Sequence, residues 1–212
     1  SGIREVPLVI QDKRFSGNDL FYYPTSPEVM VGYTGESILV NGRHSPYQNV
    51  SAGWYRFRVL NGSTARVYNL ALSDNSDFYV IGSDGGLLKN PEKLKSLLLG
   101  PGERADLLVD FSNYSASTEL YLQSNTFSGG VQGKQSFRIL KFIVDNTQPL
   151  PFSLPAVLSN IDKTEEGKSV KTRTFDIAVS HSGGHGGHSM GHTINGKSFD
   201  MERVDETVKA GD

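Results

Sequence analysis

Ser51–Leu88, SAGWYRFRVLNGSTARVYNLALSDNSDFYVIGSDGGLL, holds three strand signals in succession, and its reading decides the fold. In the first, Tyr55, Phe57 and Val59 alternate with Trp54, Arg56, Arg58 and Leu60, so one face is apolar and the other mixes charge with large hydrophobes. That period of two belongs to a strand, whose side chains point alternately to two faces. Asn61 and Gly62 are expected to supply a turn, since both tolerate positive φ, before Tyr68, Leu70 and Leu72 resume the alternation. Asp74 to Asp77 break it again. Phe78 to Ile81 forms a third strand, closed by the turn cluster Gly82, Asp84, Gly85 and Gly86.

The same signals recur on both sides. Val6 to Gln11 (VPLVIQ) is a nearly continuous apolar run, expected to be a strand buried on both faces or covered by a neighbouring domain, with Asp12 to Asn18 turning the chain. Glu36 to Val40, the Asn41-Gly42 pair and Arg43 to Val50 read as a tight hairpin. Leu97 to Leu99, Ala105 to Phe111, Glu119 to Gln123 and Gln135 to Val144 add further strands. About ten strands, frequent turn residues and the lack of a long helical period predict an all-β Greek-key sandwich or barrel. This domain is expected to occupy residues 1–145. Pro149, Pro151, Pro155 and the charged stretch Lys163 to Lys168 mark residues 146–171 as a linker. Residues 172–212 offer a strand at Thr172 to Val179, a loop of Gly, Ser and His, and a hairpin around Asn195-Gly196. Two or three strands bury too little to stand alone, so this part is expected to be the opening of a second, truncated β domain. Its unpaired strand edge would allow strand-exchanged self-association.

Composition narrows the function classes. With 21 basic and 23 acidic residues the net charge is −2, which gives no field to attract nucleic acid or an anionic membrane. The chain has no cysteine, which removes disulfides, zinc ribbons and thiol nucleophiles. No apolar run is long enough to span a bilayer.

One constellation has metal-binding potential: His181, His185, His188, Met190 and His192, set among glycines. Imidazole suits Cu(II), a thioether suits Cu(I), and glycine lets a loop wrap around an ion, so the segment reads as a copper-capture loop. The competing reading is an exposed linker with no fixed geometry. Gly187-His188-Ser189-Met190-Gly191 matches the nucleophile elbow of serine hydrolases, but it lacks the strand, sharp turn and following helix that present the serine, and is read as coincidence. His44 is isolated and reads as a hydrogen-bonded surface or interdomain residue. Asp84 reads as a turn aspartate, and Arg56, Arg58 and Arg104 are expected to pair with Asp106, Asp110 or Glu103.

Five ordered blocks resemble a known family. Val6 to Asp12 (VPLVIQD), Gly35 to Gly42 (GESILVNG), Arg56 to Gly62 (RFRVLNG), Gly82 to Leu88 (GSDGGLL) and Pro101 to Asp106 (PGERAD) are similar to the second cupredoxin domain of bacterial three-domain multicopper oxidases. Ile194 to Met201 (INGKSFDM) resembles the first hairpin of the third domain in the cuprous-oxidase branch. The resemblance implies a cupredoxin-like fold and a parent enzyme in which a mononuclear copper oxidises a phenolic or cuprous-ion substrate. Electrons then pass to a trinuclear copper cluster that reduces dioxygen to water. It also implies an extracytoplasmic location, periplasmic or cell-surface. The family's copper ligands are His-x-His pairs in the first and third domains and a His-Cys-His segment in the third, and residues 1–212 contain neither. The implied role of this chain is therefore structural, with the first and third cupredoxin domains as partners and no activity alone. The methionine-rich helix of cuprous oxidases is reduced here to Met190, which keeps laccase-like phenol oxidation open. The alternative is a noncatalytic β-sandwich module that binds copper or a protein partner through its His/Gly loop.

Overall fold

The structure, a computed structural model, describes residues 3–21, 23–161, 165–168, 171–184 and 187–209. Strand β1 (Arg4–Ser16) runs on through Asp12 and reverses only at Gly17, whose φ is +63°, into β2 (Asp19–Phe21). The expected turn at Asp12 to Asn18 therefore comes later, because Asp12 to Lys13 still pair with the next strand of the sheet. A short helix, α1 (Ser26–Val31), leads to β3 (Ser37–Val40) and β4 (Arg43–His44), joined by Asn41 and Gly42 at φ of 51° and 77° as a tight hairpin requires. The chain continues through β5 (Tyr47–Ser51), β6 (Trp54–Asn61), β7 (Tyr68–Leu72), β8 (Phe78–Ser83) and β9 (Gly86–Leu94). β10 (Ser96–Leu99), β11 (Arg104–Asp110), β12 (Glu119–Ser124) and β13 (Phe137–Asp145) complete the first set.

These strands form two sheets. One has the order β4-β3-β1-β6-β11-β8-β9 with β2 on β1, and the other the order β10-β7-β12-β13-β5. β1 lies parallel to β6 and β5 parallel to β13, so strands distant in sequence are neighbours in space, which is the Greek-key character of the fold. The alternation in Trp54 to Leu60 becomes alternation in burial: Tyr55, Phe57 and Val59 are 2%, 1% and 2% exposed, whereas Arg58 faces solvent. Tyr55, Phe57, Phe111 and Phe142 meet between the sheets with ring centroids 5.2–6.4 Å apart, several of them edge to face. The VPLVIQ run is buried on one face only, with Leu8 and Ile10 inside and Pro7 exposed.

Strands β6, β7 and β8 follow one another in sequence but not in the sheets, since β7 belongs to the second sheet. The chain thus crosses the core twice within the stretch that opens the sequence reading. The expected positive-φ turn at Asn61-Gly62 is absent. Instead the fully buried Asn61 amide donates to the carbonyls of Arg66 and Leu99 at 2.8 and 2.9 Å, and its Oδ1 accepts from the Ser63 N–H at 3.0 Å. A strand that changes sheets leaves backbone groups buried without ladder partners, and a side-chain amide can satisfy both kinds.

Beside this crossover, Asp12 and Arg66 form a buried ion pair, with side chains 1% and 7% exposed. Asp12 Oδ2 accepts from the Gly35 N–H at 2.6 Å and from Arg66 Nε at 2.9 Å. Arg66 Nη2 donates to the Gly35 carbonyl at 2.8 Å and Nη1 to Gln135 at 3.0 Å. Gly35 is required by space: a Cβ there would stand 2.4 Å from the Lys13 backbone.

The chain divides into two compact units, Ser1–Ile161 and Asp162–Asp212. Residues 146–161 carry no strand but run along the first unit. The Gln148 carbonyl accepts from Arg4, Phe152 packs on Trp54 at 5.5 Å, and the segment then meets β9. There the Leu158 N–H donates to the Lys89 carbonyl at 2.8 Å, Asn90 to the Ala156 carbonyl at 2.7 Å and Ser159 to the Leu88 carbonyl at 2.9 Å. In the second unit β14 (Ile177–Gly184), β15 (Gly187–Ile194) and β16 (Lys197–Ser198) form an antiparallel sheet, with Asn195 and Gly196 at the expected turn. Most of the segment read as a His/Gly loop is therefore strand. Glycine and serine weaken a ladder without preventing it, and their number masked a period of two.

Two outcomes follow from these contacts. Arg66→Met leaves the Asp12 carboxylate buried and unpaired, and should lower stability by about 3–5 kcal/mol in urea unfolding; a loss under about 1 kcal/mol would show the pair to be replaceable. Hydrogen bonds from Arg14 and then from the Thr25 backbone hold the Glu28 carboxyl down at about 2. Its contribution is present above the ordinary carboxylate range and is lost as pH falls through about 2. Thermal melts between about pH 4.5 and 2 should be less steeply pH-dependent in Glu28→Gln than in the parent chain; identical slopes would exclude this site.

Candidate metal-binding hairpin

In the β14–β15 ladder, Val179 pairs with His192, His181 with Met190 and Gly183 with His188. Residues directly opposed in an antiparallel pair lie on one face, as do alternate residues of each strand. Positions 181, 188, 190 and 192 therefore share a face with Ile177, Val179 and Ile194. The other face carries Ala178, Ser180, Ser182 and Gly184 opposite Thr193, Gly191, Ser189 and Gly187. Every histidine and methionine of the ladder falls on one side, and nothing larger than threonine on the other. At the end near the following turn, Ile177, Val179 and Ile194 are 79%, 48% and 53% exposed, whereas Thr193 is 6% exposed. Ala178, on the other face, is exposed as well, so both faces are open at that end. His192 is exposed, and His185 lies outside the described residues. The alternation through His188, Met190 and His192 was the available signal for this segregation, and it passes unnoticed when the segment is read as a loop.

The other candidates resolve into structural roles. Ser189 sits inside β15 opposite Ser182, with no strand-to-helix elbow to project it. The His44 ring lies 5.3 Å from that of Phe15. Asp84 accepts from Arg104 Nε at 2.7 Å and from its backbone N–H at 3.2 Å, and these bonds hold its carboxyl below the usual range. Arg56 pairs with Asp106, as expected, and with Glu5 at 3.0 Å, while Arg58 takes Glu5 at 2.8 Å. Glu103 instead accepts from the Gly100 N–H at 2.6 Å and Asp110 from the Ser112 N–H at 2.9 Å. The partners differ from the expectation because β6 lies between β1 and β11, which places Glu5 across from the arginines. A groove of 570 Å³ lined by Trp54, Asp74, Asp77, Tyr79, Lys93 and Tyr114 has charges that pair with one another, Lys93 with Asp77 at 2.9 Å and Tyr114 with Asp74 at 2.6 Å.

The first unit does not fit a catalytic copper centre. Its buried polar side chains Asp12, Asn61, Ser63, Arg66 and Ser124 each hydrogen-bond to protein groups, and Asp12 Oδ1 is the one oxygen of this set left buried without a partner. Among the described residues no three His, Cys, Asp or Glu come together as a metal would need. A blue mononuclear site needs a thiolate, and the chain has no cysteine. The hairpin offers a different donor chemistry, imidazole with one thioether.

Comparison with known proteins agrees with this architecture. The family described as multicopper oxidase matches residues 23–139. The cell division protein FtsP of Rahnella sp. is 35% identical over 221 residues, covering 99% of this chain and 44% of that protein. The laccase of Bacillus subtilis is 39% identical over 188 residues, covering 82% and 36%. Among solved structures, the multicopper oxidase McoA of Aquifex aeolicus is 35% identical with a TM-score of 0.75, covering 92% of this chain and 41% of that one. The laccase-like multicopper oxidase CueO of Ochrobactrum sp. is 33% identical with a TM-score of 0.78, covering 97% and 47%. The chain thus spans less than half the length of the relatives it matches. With more than half of its residues inside the family match and its sandwich shared with these structures, the chain belongs to the multicopper oxidase family and has that family's cupredoxin-like fold.

Proposed function

We propose that this chain is the structural middle cupredoxin domain, with the opening strands of the third, of an enzyme that couples oxidation of a phenolic or cuprous substrate to reduction of dioxygen to water. The observation that carries the reading is a family sandwich whose interior is filled by aliphatic and aromatic side chains, with the buried Asn61 and Arg66 hydrogen-bonded to protein groups. Such a domain supplies rigidity and spacing. In this reading the catalytic coppers are held by the first and third domains of the parent, and residues 1–212 alone carry no turnover. Laccase and CueO relatives favour an oxidase parent. An extracytoplasmic location is part of the same reading.

A second reading rests on the relatives named cell division protein FtsP, which match across 99% of this chain. It takes the parent to be a noncatalytic β-sandwich protein that uses the same scaffold for assembly.

Oxygen uptake separates them. The full-length parent, loaded with copper, is assayed with a phenolic dye and with cuprous ions, beside the 212-residue chain treated identically. A blue absorption band with oxygen consumption in the parent alone is the expected outcome. Turnover by the shorter chain would overturn its structural assignment, and a copper-treated parent with neither colour nor uptake would establish the noncatalytic reading.

A further inference from the structure

The turn that carries the chain from the first sheet to the second, between β4 and β5, is shared by two grooves. They measure 440 and 260 Å³, and both have Ser45 and Pro46 in their walls. Arg43 and His44 line one, Arg138 and Lys141 line the other, and no carboxylate lines either. The β12–β13 ladder explains the second pair. Its register skips Ile139, and Ile139 and Leu140 are both buried, so Arg138 and Lys141 fall on one outer face, opposite Gln123 and Tyr121. On its other side Lys141 meets Tyr47 of β5, which is 66% exposed. The Arg138 guanidinium lies 4.1 Å from the Tyr121 ring centroid, and among the described residues neither it nor Arg43 is paired with a carboxylate. Stacking on an aromatic face fixes the plane of a guanidinium and leaves its N–H edge for an oxyanion. Glu119 partly neutralises Lys141 at 2.5 Å. Arg43, Arg138 and Lys141 against that one carboxylate still leave this corner positive, although the whole chain carries −2. Ser45 holds a φ of 45°, a left-handed conformation that costs a non-glycine residue energy and is kept where the surroundings demand it.

We propose that the two grooves form one binding site for an anionic polysaccharide, a sugar chain that carries sulfate or phosphate esters. Arg43 and Arg138 take the ester oxyanions, each as a fork that reaches two oxygens at once, and Lys141 adds a third positive charge. Tyr47 presents an exposed ring against which the C–H face of a sugar packs. Gln48 and Asn49 lie in the same groove, and their amides both donate to and accept from hydroxyl groups. A nucleic acid fits less well, because three cations make few phosphate contacts and the net charge supplies no long-range attraction. An acidic peptide lacks the sugar faces and hydroxyls that Tyr47, Gln48 and Asn49 are placed to meet. The site lies wholly within the first unit and does not depend on whether the parent is an oxidase.

The test is a fluorescence-polarisation titration of the 212-residue chain with labelled oligosaccharides of dextran sulfate and dextran phosphate, at about 0.15 M salt. Neutral dextran, oligoglutamate and a DNA duplex of matched charge serve as comparisons. Binding of either ester is expected, with the stronger of the two identifying the natural anion, while neutral dextran stays free and oligoglutamate and DNA bind about tenfold more weakly or worse. Arg43→Gln and Arg138→Gln should each weaken the ester by about tenfold, and Tyr47→Ala by about threefold to tenfold. Arg138→Lys keeps the charge but loses the planar fork, and should still cost about threefold. Arg58→Gln removes the same charge from the first sheet, where Arg58 pairs with Glu5, and should leave binding unchanged. No binding of either ester would overturn the proposal. So would oligoglutamate or DNA bound as tightly as the esters, which would mean that the corner reads charge alone, or a loss in Arg58→Gln equal to that in Arg138→Gln.

Discussion

A buried aspartate–arginine pair sets the geometry of the sandwich. Taking two charges out of water costs several kcal/mol each unless their attraction is joined by well-placed hydrogen bonds. Asp12 Oδ2 and Arg66 meet that condition by drawing in both backbone groups of Gly35 and the side chain of Gln135, while Asp12 Oδ1 is buried without a partner. Four stretches far apart in sequence are therefore fixed at one point: β1, the loop before β3, the crossover from β6 to β7, and the approach to β13. The Asp12 N–H also reaches Ser63 Oγ at 3.1 Å, and Ser63 is bonded to the Tyr68 hydroxyl at 2.7 Å, which extends the network into the second sheet. Burial pushes the Tyr68 hydroxyl pKa up, so it remains a neutral partner throughout the pH range of a folded protein.

Much of this architecture is legible in the residues because β-structure with one buried face writes itself as a period of two. Tyr55, Phe57 and Val59 are core, Asn41-Gly42 and Asn195-Gly196 are hairpin turns, and the all-β class follows from their number. What stays hidden is long-range pairing. Nothing local in RFRVLNG tells that β7 leaves the sheet of β6, and Asn61 looks like a turn residue when it is in fact a buried amide serving three backbone groups. The same reason conceals Glu5 as the partner of two arginines, since that pairing depends on the parallel register of β1 with β6. In the second unit the error runs the other way. Glycine content says loop, whereas the alternation of His188, Met190 and His192 with Ser189 and Gly191 is strand periodicity.

The two units divide their chemistry sharply. The first keeps its polar groups for holding strands together, and its lone histidine touches a phenylalanine ring. In the second unit the ladder register places His181, His188, Met190 and His192 on one face. Ladders of this size gain little from packing, so their faces are free to be selected for ligand chemistry in a way that the inner faces of a sandwich are not.

The segment after β13 bears on where this fold really ends. The last strand stops at Asp145, yet residues 146–161 continue along the first unit, pack Phe152 on Trp54 and hydrogen-bond to three consecutive residues of the sheet margin. β9 is the outermost strand on that side, and its free backbone groups are the kind that invite another chain to join. The strap occupies part of that margin from within the same molecule. A fragment cut where the strands end would bare both the indole ring and the strand, and would be prone to stack through them. For anyone trimming or fusing this domain, the usable boundary is Ile161 rather than Asp145.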